Sequence, residues 1–288
     1  MGQVAAQASA LHDLVTHAPV ALRTLLRVPF NLRLMAELLD AGVRPGDLTP
    51  IQSQIELLDR YWAERVIRDD GNGDARENVL RSACEEMVLA RALRVDRSRV
   101  SSDGVSLRDL LSTQVLMEWQ SPGSAAPDRY LLTFSHHVLF DYAAARLLFR
   151  GDPEAVTNRL VGDPELALIV RPSLSMHFEY LWSRDPRRGA FWDLVIRFMQ
   201  RDEIPKIGKL IGPSVAVRRV KQLTDLNPLC EYLQHRDTTI QRAAEQAFCH
   251  LAGSLLAESR EDVPLAGPAA GPWSELLERV TRNQEGSA

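Results

Sequence analysis

At 288 residues the chain has room for two or three small domains, and its 45% hydrophobic and 25% charged residues are ordinary for a globular protein. A net charge of −4, from 34 basic and 38 acidic residues, supplies no bulk attraction to nucleic acid or to an acidic membrane. No apolar run approaches the ~18 residues of a membrane span, and no basic region followed by an apolar stretch opens the chain, so a cytoplasmic protein is expected.

Residues 1–42 carry helical periodicity: Leu22, Leu25, Leu26, then Phe30, Leu34 and Leu38 recur at three- and four-residue steps. Pro29 sits where a helix can begin, because a first-turn proline forfeits no hydrogen bond, and Gly42 and Pro45 should stop that helix. A second helix is predicted over 47–70, capped by Thr49 with Pro50 behind it. Its apolar stripe is Ile51, Ile55, Leu58, Trp62 and Val66, and Tyr61 and Trp62 read as core residues. Asp69–Asp74 breaks it; the run has the look of a calcium loop but lacks the closing glutamate.

Residues 75–94 predict another helix, with Val79, Ala83, Met87, Ala90 and Leu93 on one face. A further helix is predicted over 107–119, capped by Ser106. Residues 121–127, rich in Ser, Pro, Gly and Ala, form a turn cluster, and 129–134 read as a strand from their aromatic and branched content. His136 follows that strand, and a helix is expected over 137–149.

The run Phe134-Ser135-His136-His137-Val138-Leu139-Phe140-Asp141-Tyr142-Ala143-Ala144-Ala145 resembles the F-x-H-x-x-x-x-[E/D]-Y-x-A-A signature that closes the winged-helix domain of NACHT-type STAND NTPases, which are signalling ATPases that switch between nucleotide states. Leu57, Tyr61, Trp62, Arg65 and Val66 are similar to the helix that opens that domain, and Pro29 to the proline of the preceding small helical domain. The resemblance implies a fold that is mainly α, with a winged-helix domain carrying a small β-wing. It also implies that His136 reaches the terminal phosphate of ADP and that Pro29 packs against the nucleotide. His137, next in the chain, should point elsewhere, and Asp141 should be a solvated first-turn carboxylate acting on the helix dipole.

Beyond Gly151 prolines punctuate short helices, predicted over 153–170, 173–184, 189–201, 213–223, 227–235, 238–258 and 272–283. The pair 227–235 and 238–257 suggests an irregular, HEAT-like α-solenoid. Residues 261–272 and the polar tail after Arg279 should be loose. The expected division is 1–45 as the remnant of a small helical domain, 46–150 as the winged helix, 151–260 as a helical, sensor-like region, and 261–288 as linker and tail.

No G-x-x-x-x-G-K-[ST] phosphate loop occurs, nor a G-x-S-x-G elbow or a nucleophile with a patterned base. No catalysis and no metal are expected, and no cofactor for the chain alone. One histidine hydrogen bond contributes about 0.5–1.5 kcal/mol, far below the ~8 kcal/mol of micromolar affinity. ATP or ADP belongs to a full-length or split parent, with a nucleotide-binding domain supplied in cis or in trans and a protein ligand on the helical region. The chain then reads as the regulatory fragment or split subunit of a switch ATPase, with an apolar surface where the nucleotide domain would pack. Two alternatives stand beside it. One is a helical scaffold that binds a protein. The other is a winged-helix DNA regulator, which the nearly neutral 107–119 segment (Arg108 against Asp109 and Glu118) argues against. Nucleic acid and membrane are therefore not expected partners. Glu85 and Glu86 read as a solvated face, and the basic segment Arg184-Asp185-Pro186-Arg187-Arg188 and the pair Arg218-Arg219 are short and lack the aromatic interleaving of a single-strand nucleic-acid groove. Cys84, Cys230 and Cys249 are too few and too scattered for a disulfide framework and read as reduced core residues.

Overall fold

Prolines begin many of the helices of this chain, and left-handed residues end several of them. A computed structural model describes residues 11–101, 103–120, 130–258 and 270–285. The fold is mainly helical with one three-stranded antiparallel sheet. It divides into two compact units, residues 1–143 and 144–288.

In the first unit, α1 (residues 11–17) and α2 (Val20–Leu25) precede α3 (Pro29–Asp40), which starts on Pro29 and buries Phe30, Leu34, Met35 and Leu38. Its end is a Schellman motif. Gly42, at φ 89°, donates to the Leu39 carbonyl, and Val43 donates to Leu38.

The single helix expected over 47–70 is broken. A short α4 (Pro45–Leu48) ends at Thr49, whose hydroxyl donates to the Pro45 carbonyl, so Thr49 closes a helix rather than opening one. Ser53 is the true cap of α5 (Gln54–Trp62), accepting from the Glu56 amide at 3.3 Å, while the Glu56 carboxylate accepts from the Gln52 amide. A π-helical turn, Ala63–Ile67, follows. Its last carbonyls would be orphaned, but the wholly buried Arg76 of α6 (Gly73–Leu89) donates to the carbonyls of Val66 and Ile67 and to Asp70 and Asp109. Arg76 holds the Asp70 carboxyl down to about 2, so the apparent calcium loop is a guanidinium seat.

Helix α6 stops at Leu89, short of the expected 94. Arg91 is left-handed (φ 51°) and closes a second Schellman motif with Ala92 donating to Met87. Ala90 and Leu93 are consequently exposed, and a strand the periodicity did not suggest, β1 (Arg94–Asp96), begins. The helix expected over 107–119 is α7 (Gly104–Ser112) followed by β2 (Leu116–Gln120). Asp103, not Ser106, caps α7, and left-handed Gln114 (φ 56°) turns the chain out. Strand β3 (Tyr130–Phe134) lies between β1 and β2, pairing Val95 with Leu132 and Leu116 with Phe134. The turn cluster at 121–127 and Arg129 lie outside the described residues. Helix α8 (His137–Leu147) contains the division between the units.

In the second unit the expected 153–170 helix breaks at Asp163 into α9 (Pro153–Gly162) and α10 (Leu166–Ile169). Then come α11 (Arg171–Arg184), α12 (Gly189–Met199), the unforeseen short α13 (Lys206–Lys209), and α14 (Ile211–Arg219). A 3-10 turn, Leu223–Leu226, leads to α15 (Asn227–Leu233), α16 (Thr238–Glu258) and α17 (Gly271–Glu285), which continues beyond the point where a loose tail was expected. Helix α12 is the hydrophobic centre, packed by α9, α11 and α16. Phe178, Trp182, Phe191, Trp192 and Phe198 meet there edge to face, at centroid distances of 4.8–5.6 Å, each buried ring contributing about 1.5–3 kcal/mol. Gly212 lets α14 approach, since a Cβ there would lie 2.5 Å from Val195.

Candidate functional site

The sheet delivers His136. The ladder runs one step past β3, with the Ser135 amide donating to Val115, and His136 then caps α8. Its carbonyl accepts from Leu139, and its ring Nδ1 accepts from the Val138 amide at 3.2 Å. An Nδ1 that accepts must be unprotonated, so the neutral ring carries its hydrogen on Nε2. Nε2 has no hydrogen-bond partner among the described residues and is not shut away from solvent.

The imidazole stacks on Phe30 at 4.0 Å and 20°. His137 does not point elsewhere, contrary to expectation: its ring lies 4.2 Å from that of His136. Partial burial, then the neighbouring His137 and Arg33, lower the His136 pKa below its usual 6.5. The cap bond acts in the same direction, since protonating Nδ1 would break it.

Helix α3 brings the second predicted residue close. Pro29 is its first residue and is exposed, and Phe30, the next, is the ring under His136. The buried Asn31 ties this helix start in place, donating to the Leu25 carbonyl and accepting from Gln54. One turn on from Phe30, the Arg33 Nε donates to Glu37 at 2.6 Å. The other Glu37 oxygen accepts from the Tyr61 hydroxyl at 2.9 Å, and the Glu37 carbonyl accepts from Arg65. Burial and the adjacent Glu37 push the Tyr61 pKa up, so it remains a donor. The Arg33 Nη groups make no hydrogen bond among the described residues. Val15, Val20, Arg23, Thr24, Leu26 and Arg27 line an open groove of about 410 Å³, and Val20 and Val28 are exposed.

The other singled-out residues have structural duties. Tyr61 and Trp62 are core, as expected; the Trp62 indole donates to Glu77 and packs edge-on against Tyr142. Tyr142 donates to Asp59. Asp141 is buried rather than solvated, a correction forced by the packing of α8. Cys84 is buried and its thiol pKa is raised by desolvation, whereas Cys230 is half-buried and Cys249 exposed, so only the first is a core cysteine. Among the basic residues, Arg188 pairs with Asp225 and Arg219 with Glu179.

Among the described residues no group of three or more His, Cys, Asp or Glu side chains is placed to hold a metal ion, and no helix is long and apolar enough to cross a membrane. Arg33 and Glu37 escaped the sequence reading. The signal was present: Phe30, Arg33 and Glu37 recur at three- and four-residue steps behind a helix-initiating proline. Set against known protein families and characterised proteins, the chain matches no family model and no curated protein.

Proposed function

We propose that the chain is the regulatory part of a STAND, NACHT-like switch ATPase, working with a nucleotide-binding domain supplied in cis or in trans, and catalysing nothing alone. In this reading residues 46–150 are a winged helix whose wing is β2 and β3. The helices after 150 are an irregular solenoid that receives a protein ligand. The observation that carries the reading is the stack of His136 on Phe30: the residue that follows Pro29 in the chain lies against His136, so the two residues expected to meet nucleotide are brought near each other from distant parts of the sequence. His136 fits a phosphate oxygen, because its Nε2–H is unpartnered and its tautomer is set by the cap. Pro29 and the exposed Val20 and Val28 fit a surface that an apolar partner would cover. Bound ADP would hold this module to the nucleotide domain, and its loss would release it, a ligand-biased two-state switch.

The direct test is ADP retention by the chain assembled with its nucleotide-binding domain. His136→Ala should shorten ADP retention about tenfold or more, equivalent to a lost hydrogen bond to a charged group. Unchanged retention would defeat the reading. A DNA-binding role has less support: α7 carries Arg108 beside Asp109, and Asp109 is already paired with Arg76.

A further inference from the structure

We propose that Arg33 and His136 form a two-pronged oxyanion site in which Arg33 carries the charge and His136 acts as a neutral Nε2–H donor. The inference rests on the nucleotide-latch reading and specifies how the phosphate-type group would be held. Three observations converge on it. His136 is anchored by an Nδ1 that accepts from Val138, which leaves one outward donor on a ring of fixed tautomer. Phe30 stacks on that ring, and Arg33 lies one helical turn further along the same helix, so the guanidinium stands on the His136 side of α3. Arg33 is already oriented: its Nε is held by Glu37, itself held by Tyr61, and both Nη groups are left unbonded among the described residues. A guanidinium fixed at Nε with a free fork is suited to a phosphate-type oxyanion.

Partial burial first, and then the groups around it, disfavour a charged His136. Arg33 faces it from α3 and His137 from α8, and Glu37 is committed to Arg33 and Tyr61. A second cation at His136 is disfavoured while Arg33 is charged. The site therefore differs from a pair of titrating histidines: its charge is permanent, and its affinity should not follow histidine protonation.

Inorganic pyrophosphate is the probe, titrated into the full 288-residue chain with histidine and arginine side chains observed by NMR. The expected result is a saturable shift of the His136 Nε2 and Arg33 Nη signals, with His136 in its Nε2–H form before and after. Affinity should not fall between pH 7 and pH 8.5, because the site keeps its charge while the probe becomes no less anionic. Arg33→Gln should weaken binding about tenfold or more, the worth of a charge-assisted contact. His136→Gln, which keeps a neutral donor, should retain more affinity than His136→Phe; thermal melts establish that each variant is folded. The inference is overturned if pyrophosphate leaves both signals unmoved, or if affinity falls steadily as pH rises over that window. It is also overturned if ADP retention in the assembled protein requires His136 but is indifferent to Arg33→Gln, in which case the latch stands without this site. Pyrophosphate binding at Arg33 and His136, with retention indifferent to His136→Ala, would support the anion site and remove the latch.

Discussion

His177 shows how one buried side chain sets a pH limit. It lies in α11, 4% exposed, with the Phe149 ring 6.4 Å away, and burial alone lowers its pKa from 6.5 to about 4. The folded state keeps it neutral while the unfolded chain binds a proton below pH 6.5. The unfolded state then holds more protons, so stability falls as pH drops from 6.5 towards 4. The loss approaches roughly 3 kcal/mol once both values are passed. Urea denaturation at pH 7, 5.5 and 4.5 should show this decline, and His177→Leu should flatten it relative to the parent. An equal decline in the variant would assign the effect to other groups. Arg76 is the opposite case, a buried charge kept by complete pairing, with two carbonyls and two carboxylates around one planar fork.

At the level of elements, helix ends rather than helix interiors separated expectation from structure. The apolar faces were legible: Val79, Ala83 and Met87 in α6 and Leu107 and Leu110 in α7 are buried as their spacing required. The stops at Leu89 and Ser112 were not. Both are Schellman ends whose left-handed residue is Arg91 or Gln114, and neither residue advertises a positive φ as Gly42 does. Two strands were hidden as a result: β2 falls within the helix expected over 107–119, and β1 begins at Arg94, the last residue of the helix expected before it. The exposed Gln114 makes no hydrogen bond with its side chain among the described residues, so its conformation is a cost with little return. Gln114→Gly should raise stability by about 0.5–1 kcal/mol, as relief of left-handed strain is partly offset by glycine's larger unfolded-state entropy. Gln114→Val should lower it. Paired thermal melts of the two variants check the sign, and a loss in the glycine variant would contradict the strain argument.

For the whole molecule, charge constrains function more than fold does. The net charge is −4, and among the arginines described above Arg76, Arg188 and Arg219 are each tied to a carboxylate. The chain is therefore expected to show no salt-dependent retention of duplex DNA at physiological ionic strength, measured by fluorescence anisotropy of a labelled duplex. Binding that weakens steeply with added salt would revive the DNA-regulator alternative. The division of the chain into units 1–143 and 144–288 gives each its own aromatic and aliphatic core, Trp62 with Tyr142 in one and the α12 cluster in the other.

The sequence by itself determined the mainly helical class, the buried faces, the core role of Tyr61 and Trp62, and the strand that presents His136. Each depends on local periodicity and on side-chain type, which act over a few residues. Tertiary structure alone decided what His136 touches. Its stack on Phe30, the nearness of Arg33 and His137, and the seat of Arg76 across the π turn join residues distant in sequence or fix rotamers between neighbours. No periodic pattern encodes such meetings, because they follow from how the sheet and α3 are packed together. The left-handed ends at Arg91 and Gln114 belong to the same class: packing of the following strand imposes a conformation their side chains do not favour.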